Sequence, residues 1–416
     1  MEYKNKLDWN FIKENTREYT HIYHDYPARM IPQIPRKLLN MFHENENNLL
    51  YDPYCGSGSS LVEGLLAGLN VIGTDINPLA KLISEAKTDY SINPLHLENE
   101  INNFVDFTLG ISNKNIEPVI IDKDNLSFWF KENAIKALSY IIGYINTVEN
   151  ISIKNFFKVA ASETIRESSN TKKGEFKLNR YSNEKLQNHN PYAFKIMKEK
   201  LFRNLNGYKE FYREMVEKEC HPVSRVYTLN TEHKIPEDMI KANSVDIVIT
   251  SPPYGDSHTT VAYGQYTRFS SEWLGLWEHN IDKISMGGKI LKDSISFKCA
   301  SLDNAIEEIE KVKPKRALEV MSFYYDLKES IKNISGVIKQ DGLSCYVVAN
   351  RRVSGVLLPT NDAIKCFFEE YNFEYIDTFT RIIPNKRMPL KNSPSNIMGK
   401  TEETMNKEYI IVMRAL

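Results

Sequence analysis

Residues 48–75 place a strand, a glycine-bearing loop, a helix and a second strand in immediate succession, an order that few folds can accept. Asn48-Leu49-Leu50-Tyr51-Asp52 is an apolar run ending on a carboxylate, and Pro53-Tyr54-Cys55-Gly56-Ser57-Gly58-Ser59-Ser60 is a loop. Residues 61–69 have helical spacing, and Asn70-Val71-Ile72-Gly73-Thr74-Asp75 reads as a second strand closing on an acid. This is a βαβ start, which makes the two strands parallel and lays the helix across the sheet. Gly56 and Gly58 stand where a backbone must turn tightly or approach a ligand. The loop lacks the full GxGxxG spacing and no GK[ST] follows it, so a phosphate cradle is not indicated. Asp75, closing the second strand, suits a ribose diol. Asp52 suits the orientation of a ligand or of a positively charged group. The alternative is a doubly wound start whose glycines only make a turn.

Far along the chain, Val245-Asp246-Ile247-Val248-Ile249-Thr250 reads as a buried parallel strand, and Ser251-Pro252-Pro253-Tyr254 must end it abruptly. The residue before each proline is held extended. Carbonyls in such a turn lack ladder partners and point into the cleft beyond the strand. With a hydroxyl on one side and an aromatic ring on the other, the segment forms an acceptor-rich pocket for a planar group bearing an NH2. Taken alone it is equally a proline turn with Tyr254 in ordinary packing.

Together, DPYCGSGS and SPPY resemble the DPxxGxGx and [DNS]PP[YFW] loops of the S-adenosylmethionine-dependent amino-methyltransferases of DNA. Tyr26-Pro27-Ala28-Arg29-Met30-Ile31-Pro32-Gln33-Ile34-Pro35 resembles that family's segment beside the methionine end of the cofactor. Lys386-Arg387-Met388-Pro389 and the late strand Glu408-Tyr409-Ile410-Ile411-Val412-Met413 carry the similarity into the C-terminal part. The resemblance implies an α/β, Rossmann-like class I methyltransferase sheet with a mainly helical inserted recognition domain. It implies S-adenosylmethionine as cofactor, double-stranded DNA as substrate and no metal, and it accommodates a cognate restriction endonuclease acting separately. Cofactor contacts are expected from Tyr26, Pro27, Asp52, Pro53, Cys55, Gly56, Gly58, Asp75, Ile76 and Asn77. Ser251, Pro252, Pro253 and Tyr254 are expected to act on the target base.

The chemistry explains why such residues suffice. An exocyclic amine is a weak nucleophile because its lone pair is delocalised into the ring. Ser251 Oγ and the Pro252 carbonyl are expected to accept its two hydrogens and turn the lone pair toward the sulfonium methyl. Proximity supplies much of the acceleration. Tyr254 is expected to stack on a base swung out of the duplex. Members beginning this loop with Ser more often modify cytosine N4, whereas adenine-N6 enzymes more often carry Asp or Asn. Cytosine N4 is therefore the expectation and adenine N6 the alternative. An RNA base methyltransferase, a protein-glutamine methyltransferase and a catalytically silent nucleic-acid scaffold are further alternatives. Intact Asp52, Gly56, Gly58, Asp75 and SPPY argue against the last.

These anchors divide the chain into residues 1–90, with N-terminal helices and the cofactor half, residues 91–230, a helical target-recognition insert, and residues 231–416, the catalytic half. The middle block holds a basic cluster: residues 171–218 carry 12 Lys/Arg against 6 Asp/Glu, interleaved with aromatics, in a chain of net charge −1. Such a mixture can neutralise phosphates and stack on bases. An amphipathic helix over residues 196–218 with a solvated face is the alternative there. The less regular residues 168–181 read as a partner-contacting loop. DNA contacts are expected from Lys172, Lys173, Lys177 and Arg180, with His258, Arg268, Lys386 and Arg387 from the catalytic half. Asp256 and Ser257 would line the same pocket. Residues 259–270 suit a lid or strand-separating element, or a loop entering a helix over 271–277.

The chain has no apolar stretch of membrane-spanning length, and its polar start, Met1-Glu2-Tyr3-Lys4-Asn5, is not a signal peptide pattern. Cys55, Cys220, Cys299, Cys345 and Cys366 lie far apart without a CxxC pair. A reduced, cytoplasmic setting without structural disulfides or zinc is expected.

Overall fold

The apolar runs assemble into one seven-stranded sheet. The computed structural model describes residues 8–43, 48–111, 115–121, 123, 125–255, 262–276, 281–383, 391–392, 402–403 and 407–416. In chain order the strands are β1 (Leu49–Asp52), β2 (Asn70–Asp75), β3 (Ser224–Thr228), β4 (Val245–Thr250), β5 (Ile338–Val348), β6 (Arg351–Val353), β7 (Val356–Leu358), β8 (Phe373–Ile382), β9 (Lys391–Asn392), β10 (Glu402–Glu403) and β11 (Lys407–Ala415). The sheet order is β3-β2-β1-β4-β5-β11-β8, with β6–β7 and β9–β10 as separate pairs. β1 runs parallel to both β2 and β4. β11 lies antiparallel between β5 and β8. The chain order reverses between β1 and β4, the switch point at whose carboxyl edge α/β sheets form a ligand crevice.

Period-two alternation puts the two faces of this sheet into two cores. Leu50, Ile247, Ile249 and Val347 point to one face with α1 (Gln33–Phe42) and α2 (Ser59–Leu66). Tyr51, Val248, Tyr346 and Val348 point to the other. That face is covered by helices of the C-terminal half.

Between β2 and β3 the chain is helical: α3 (Pro78–Thr88), α4 (Pro94–Thr108), α5 (Leu126–Trp129), α6 (Glu132–Thr147), α7 (Ile151–Ser168), α8 (Asn183–Asn188) and α9 (Ala193–Val216). The helices α3 and α4 start with the same chemistry. Asn77 and Asn93 are N-caps whose side chains accept from the N–H two residues on, each followed by Pro at the first helical position. After β4 come α10 (Tyr263–Leu274), α11 (Ile281–Ile284), α12 (Ala300–Val312), α13 (Pro314–Ser335) and α14 (Thr360–Glu370). The inserted helices share one hydrophobic core with α3 and α10, through Leu79 and Ile83 on one side and Phe269 and Trp273 on the other. Among the described residues no helix is long and apolar enough to cross a membrane.

Several details depart from the sequence expectations. β3 pairs with β2 from Val71↔Ser224 to Asp75↔Thr228, so the sheet resumes inside the 91–230 block. Residues 263–270 are not a loop entering a helix at 271, because α10 already begins at Tyr263. α9 buries Met197, Leu201, Leu205, Tyr208, Phe211 and Met215 along one stripe, so Tyr208 and Phe211 are core residues and not a stacking surface. Against the expectation of no structural disulfide, Cys299 and Cys366 are bonded, with Cα atoms 5.9 Å apart. Cys299 caps α12 and Cys366 lies on α14; packing of those two helices brings together thiols 67 positions apart.

Candidate active site

The carboxyl ends of β1, β2 and β4 open into a cleft of about 920 Å³, part of it open to solvent. Of the expected cofactor residues, Tyr26, Pro27, Asp52, Pro53, Cys55, Gly56, Asp75, Ile76 and Asn77 line it. Gly58 does not, and its place is structural. It precedes α2 with φ +70°, and a Cβ there would stand 2.9 Å from Ser84 Oγ and 3.2 Å from Ser84 Cα. The loop can therefore close on α3 only without a side chain at 58. Beneath it the fully buried Lys87 donates from Nζ to the Ser57 carbonyl at 2.7 Å, and burial holds its ammonium well below the usual lysine range.

The two acids are used differently. Asp52 is 3% exposed and its oxygens are engaged within the protein. Oδ1 accepts from Tyr54 N at 3.1 Å and from Thr250 Oγ1 at 2.5 Å, and Oδ2 accepts from Ser60 Oγ. It thereby ties the end of β1 to the end of β4, just before Ser251. Asp75 is half-buried. It accepts from Gly56 N at 3.0 Å and Asn77 N at 2.8 Å, one bond to each oxygen, which leaves further lone pairs toward the cleft. Burial raises both carboxyls to about 6, against the pull of those hydrogen bonds.

One wall comes from the N-terminal segment. The rings of Tyr26 and Tyr263 stack with centroids 5.8 Å apart, and Asn77 Nδ2 donates to Tyr26 Oη at 3.3 Å and to Thr267 Oγ1 at 3.4 Å. Arg29 also lines the cleft; its Nη1 donates to the carbonyls of His21 at 2.8 Å and His24 at 3.3 Å. Ser57 Oγ, another lining residue, is buried without a hydrogen-bond partner.

Ser251 and Pro253 reach the same cleft, while Pro252 is buried and Tyr254 packs behind against the sheet core. Pairing of β4 with β5 ends at Thr250↔Tyr346, so carbonyls beyond it have no ladder partner. Ser251 Oγ donates to Tyr254 Oη at 3.3 Å, and Tyr254 Oη donates to Glu408 Oε1 at 2.9 Å. His258, with Asp256 and Ser257, lies outside the described residues, as do Lys386 and Arg387.

Lys172, Lys173 and Lys177 are exposed on a turn closed by the Thr171↔Arg180 bridge. Arg180 is half-buried, its guanidinium 4.3 Å from the Phe128 ring centroid and its Nε donating to Phe128 O at 2.9 Å. This turn docks on α10: Leu178 N donates to Gln265 Oε1 at 3.4 Å, and Phe176 meets Tyr266 edge-on at 6.3 Å. The exposed lysines thus stand beside the helix whose first residue, Tyr263, lines the cleft. Arg268, on α10, is paired with Glu272 at 2.9 Å.

Sequence reasoning missed the opposite wall: Leu229, Asn230, Thr231 and Glu232 after β3, and Ile281, Ile284, Ser285 and Met286. Burial and the nearby Asp326 raise Glu232 to about 7. The available signal was Glu232, an acid four residues after the short run Val226-Tyr227-Thr228. The lining as a whole offers carboxylates for hydroxyls or a cation, one guanidinium for an anion, and aromatic and aliphatic walls for flat rings. That is a receptor for a nucleoside with a charged tail, with a second, acceptor-rich mouth at Ser251.

Residues 17–108 match the UPF0020 family (RMKL-like, methyltransferase domain). The chain is 40% identical over 423 aligned residues to the Type II methyltransferase M.MvaI of Kocuria varians, covering 97% of this chain and 93% of that one. It is 23% identical over 309 residues to the Type II methyltransferase M.BsoBI of Geobacillus stearothermophilus, covering 65% and 55%. A shorter match, 39% over 88 residues, joins 20% of this chain to 16% of the Type II methyltransferase M.MjaII of Methanocaldococcus jannaschii.

Proposed function

The chain belongs to the Type II DNA methyltransferases, and on that footing we propose that it methylates the exocyclic amine of a base flipped out of double-stranded DNA, cytosine N4 in first place. Its cofactor is S-adenosylmethionine, which supplies a methyl activated by the sulfonium charge. The observation carrying the proposal is that Ser251 and Pro253 open into the same cleft as the glycine loop and Asp75. The residues present fit the cofactor. Asp75 has lone pairs for ribose hydroxyls, Ser57 Oγ is a buried hydroxyl in need of a partner, and Arg29 is the cation of the lining for a carboxylate.

On this reading the protein's own groups do four things. Asp75 orients the ribose. The stacked Tyr26 and Tyr263 exclude water from one side. Ser251 Oγ and the Pro252 carbonyl accept the amine's hydrogens, and Tyr254, packed behind the mouth, holds Ser251 in place. A cognate endonuclease acting separately would be the counterpart of such an enzyme. The test is expression in a methylation-deficient host followed by modification-sensitive sequencing of its DNA. N4-methylcytosine in one sequence context is the expected result; N6-methyladenine would replace cytosine by adenine, and unmodified DNA would overturn the proposal.

Cofactor affinity should depend on pH. Bound ribose hydroxyls favour the ionised Asp75, whereas the free protein holds that carboxyl at about 6. Affinity is therefore expected to rise between pH 5 and 7 and to level off above. The same upward shift makes a stabilising contribution in the free protein below the ordinary carboxyl pKa, lost as pH rises through about 6. Calorimetric titration with S-adenosylmethionine checks this. Asp75→Asn should flatten most of the dependence, the remainder belonging to Asp52; an unchanged profile in that variant would remove Asp75 from the cofactor site.

The turn beside α10 is proposed to touch DNA. Replacing Lys172, Lys173, Lys177 and Arg180 together with glutamine should leave cofactor affinity alone, since none lines the cleft. It should lower the slope of log affinity against log salt by ~0.9 for each phosphate no longer neutralised. Filter binding at several salt concentrations measures it, and an unaltered slope would make this turn a solvated surface.

A further inference from the structure

The hydroxyl proposed to receive the target amine belongs to a chain of polar groups reaching back through the sheet. Ser251 Oγ lies 3.3 Å from Tyr254 Oη, and Tyr254 Oη lies 2.9 Å from Glu408 Oε1 on β11. Glu408 is opposite Arg381 of β8 in the strand register, and Arg381 Nη1 stands 3.3 Å from Glu408 Oε2. The two side chains are 6% (Arg381) and 15% (Glu408) exposed, and Arg381 Nε is buried without a hydrogen-bond partner. Glu408 is thus the carboxylate of a buried ion pair, and a carboxylate so paired is an acceptor only.

That fixes the polarity of the chain. Tyr254 has one hydroxyl proton, and Glu408 takes it. The Tyr254 oxygen can then only accept, so Ser251 must donate to it. Ser251's proton is thereby turned away from the cleft, and its lone pairs are left facing whatever enters. From this arrangement we infer that Glu408 is a positioning residue for methyl transfer: acting through Tyr254, it makes Ser251 an obligatory hydrogen-bond acceptor. The inference rests on the proposed role of Ser251 toward an amine. With no acceptor at 408, Tyr254 can turn its proton onto Ser251. Ser251 then presents an O–H to the amine, a donor facing a donor. The same anchor holds the Tyr254 ring by its far end, fixed behind the mouth of the cleft.

The test is a double-mutant cycle on the full-length protein, with single-turnover methyl transfer and cofactor titration as readouts. Glu408→Gln can donate as well as accept, so it should lower the single-turnover rate roughly tenfold, as loss of one charge-assisted hydrogen bond does. Cofactor affinity should stay unchanged, since Glu408 does not line the cleft. Tyr254→Phe keeps the ring and the Glu408–Arg381 pair but removes the relay, and should show a loss of similar size. The decisive result is the double variant. If Glu408 acts through the Tyr254 hydroxyl, Glu408→Gln should cost nothing further in the Tyr254→Phe background. A merely structural ion pair would instead lower the rate in both backgrounds and lower the unfolding midpoint with it. Independent losses, or an unchanged rate in Glu408→Gln, overturn the inference while leaving the methyltransferase reading intact. Wild-type protein that fails to methylate DNA overturns both. Should Glu408→Gln misfold by stranding Arg381, the contrast moves to Tyr254→Phe, and a wild-type rate in that variant is equally fatal.

Discussion

Ser251→Ala is expected to lower the rate of methyl transfer by on the order of 10²–10³-fold, the loss typical of removing one preorganised hydrogen-bonding group at a reacting centre. Cofactor affinity should barely change. Ser251 is half-buried at the mouth of the cleft, and the one side-chain bond its oxygen makes among the described residues is to Tyr254. Its removal therefore leaves Asp75, Gly56 and the aromatic wall in place. Single-turnover kinetics on duplex DNA and calorimetry with S-adenosylmethionine separate the two quantities. A wild-type rate would remove Ser251 from the chemistry. A parallel fall in cofactor affinity would instead move Ser251 to the cofactor side of the cleft.

The cleft is partly readable in the sequence because some of its chemistry is local. Two prolines after an apolar run end a strand wherever the chain goes, and Asn77-Pro78 starts a helix from its own side chains. Gly56 and Gly58 hold positive φ, which glycine adopts without strain. The wall after β3 is hidden because Ser224–Thr228 is short, lies at the sheet edge and shows the burial pattern of no clean apolar run. α10 is hidden because Tyr263-Gly264-Gln265-Tyr266 is too polar for a helical stripe. Its burial comes from docking on Phe130, Trp129 and Arg166 of the inserted helices. Sequence alone points Asp52 at a ligand, but partners at Tyr54, Ser60 and Thr250 take up its oxygens, and a bond spanning 198 positions leaves no mark in local sequence. The same holds for Glu408 and Tyr254, 154 positions apart.

Long-range ties of this kind make the inserted helices a support for the cleft wall proposed to hold the cofactor, and Gly207 tests that coupling. The 3-10 turn Tyr19–Tyr23 leads into Tyr26 and lies on α9. Arg203 Nη2 donates to Tyr23 O at 2.6 Å, and Glu163 of α7 accepts from Asp25 N at 2.9 Å. Tyr266 Oη donates to Asp25 O at 2.7 Å. At Gly207 a Cβ would stand 2.3 Å from the Tyr19 carbonyl oxygen and 2.8 Å from Ile22 Cγ2. A backbone carbonyl cannot step aside as a side-chain end can, so Gly207→Ala must push the turn off α9. Overpacking of this sort destabilises by ~1–3 kcal/mol. Because the turn carries Tyr26, cofactor affinity should fall with stability, and the Tyr26–Tyr263 stack should loosen. Asn206→Ala, an exposed neighbour on the same helix, should change neither. Denaturant unfolding and cofactor titration of both variants decide the matter. If Gly207→Ala loses stability yet binds S-adenosylmethionine as the wild type does, the N-terminal wall is held by α2, α3 and α10 without the inserted helices, and the insert is a separable attachment.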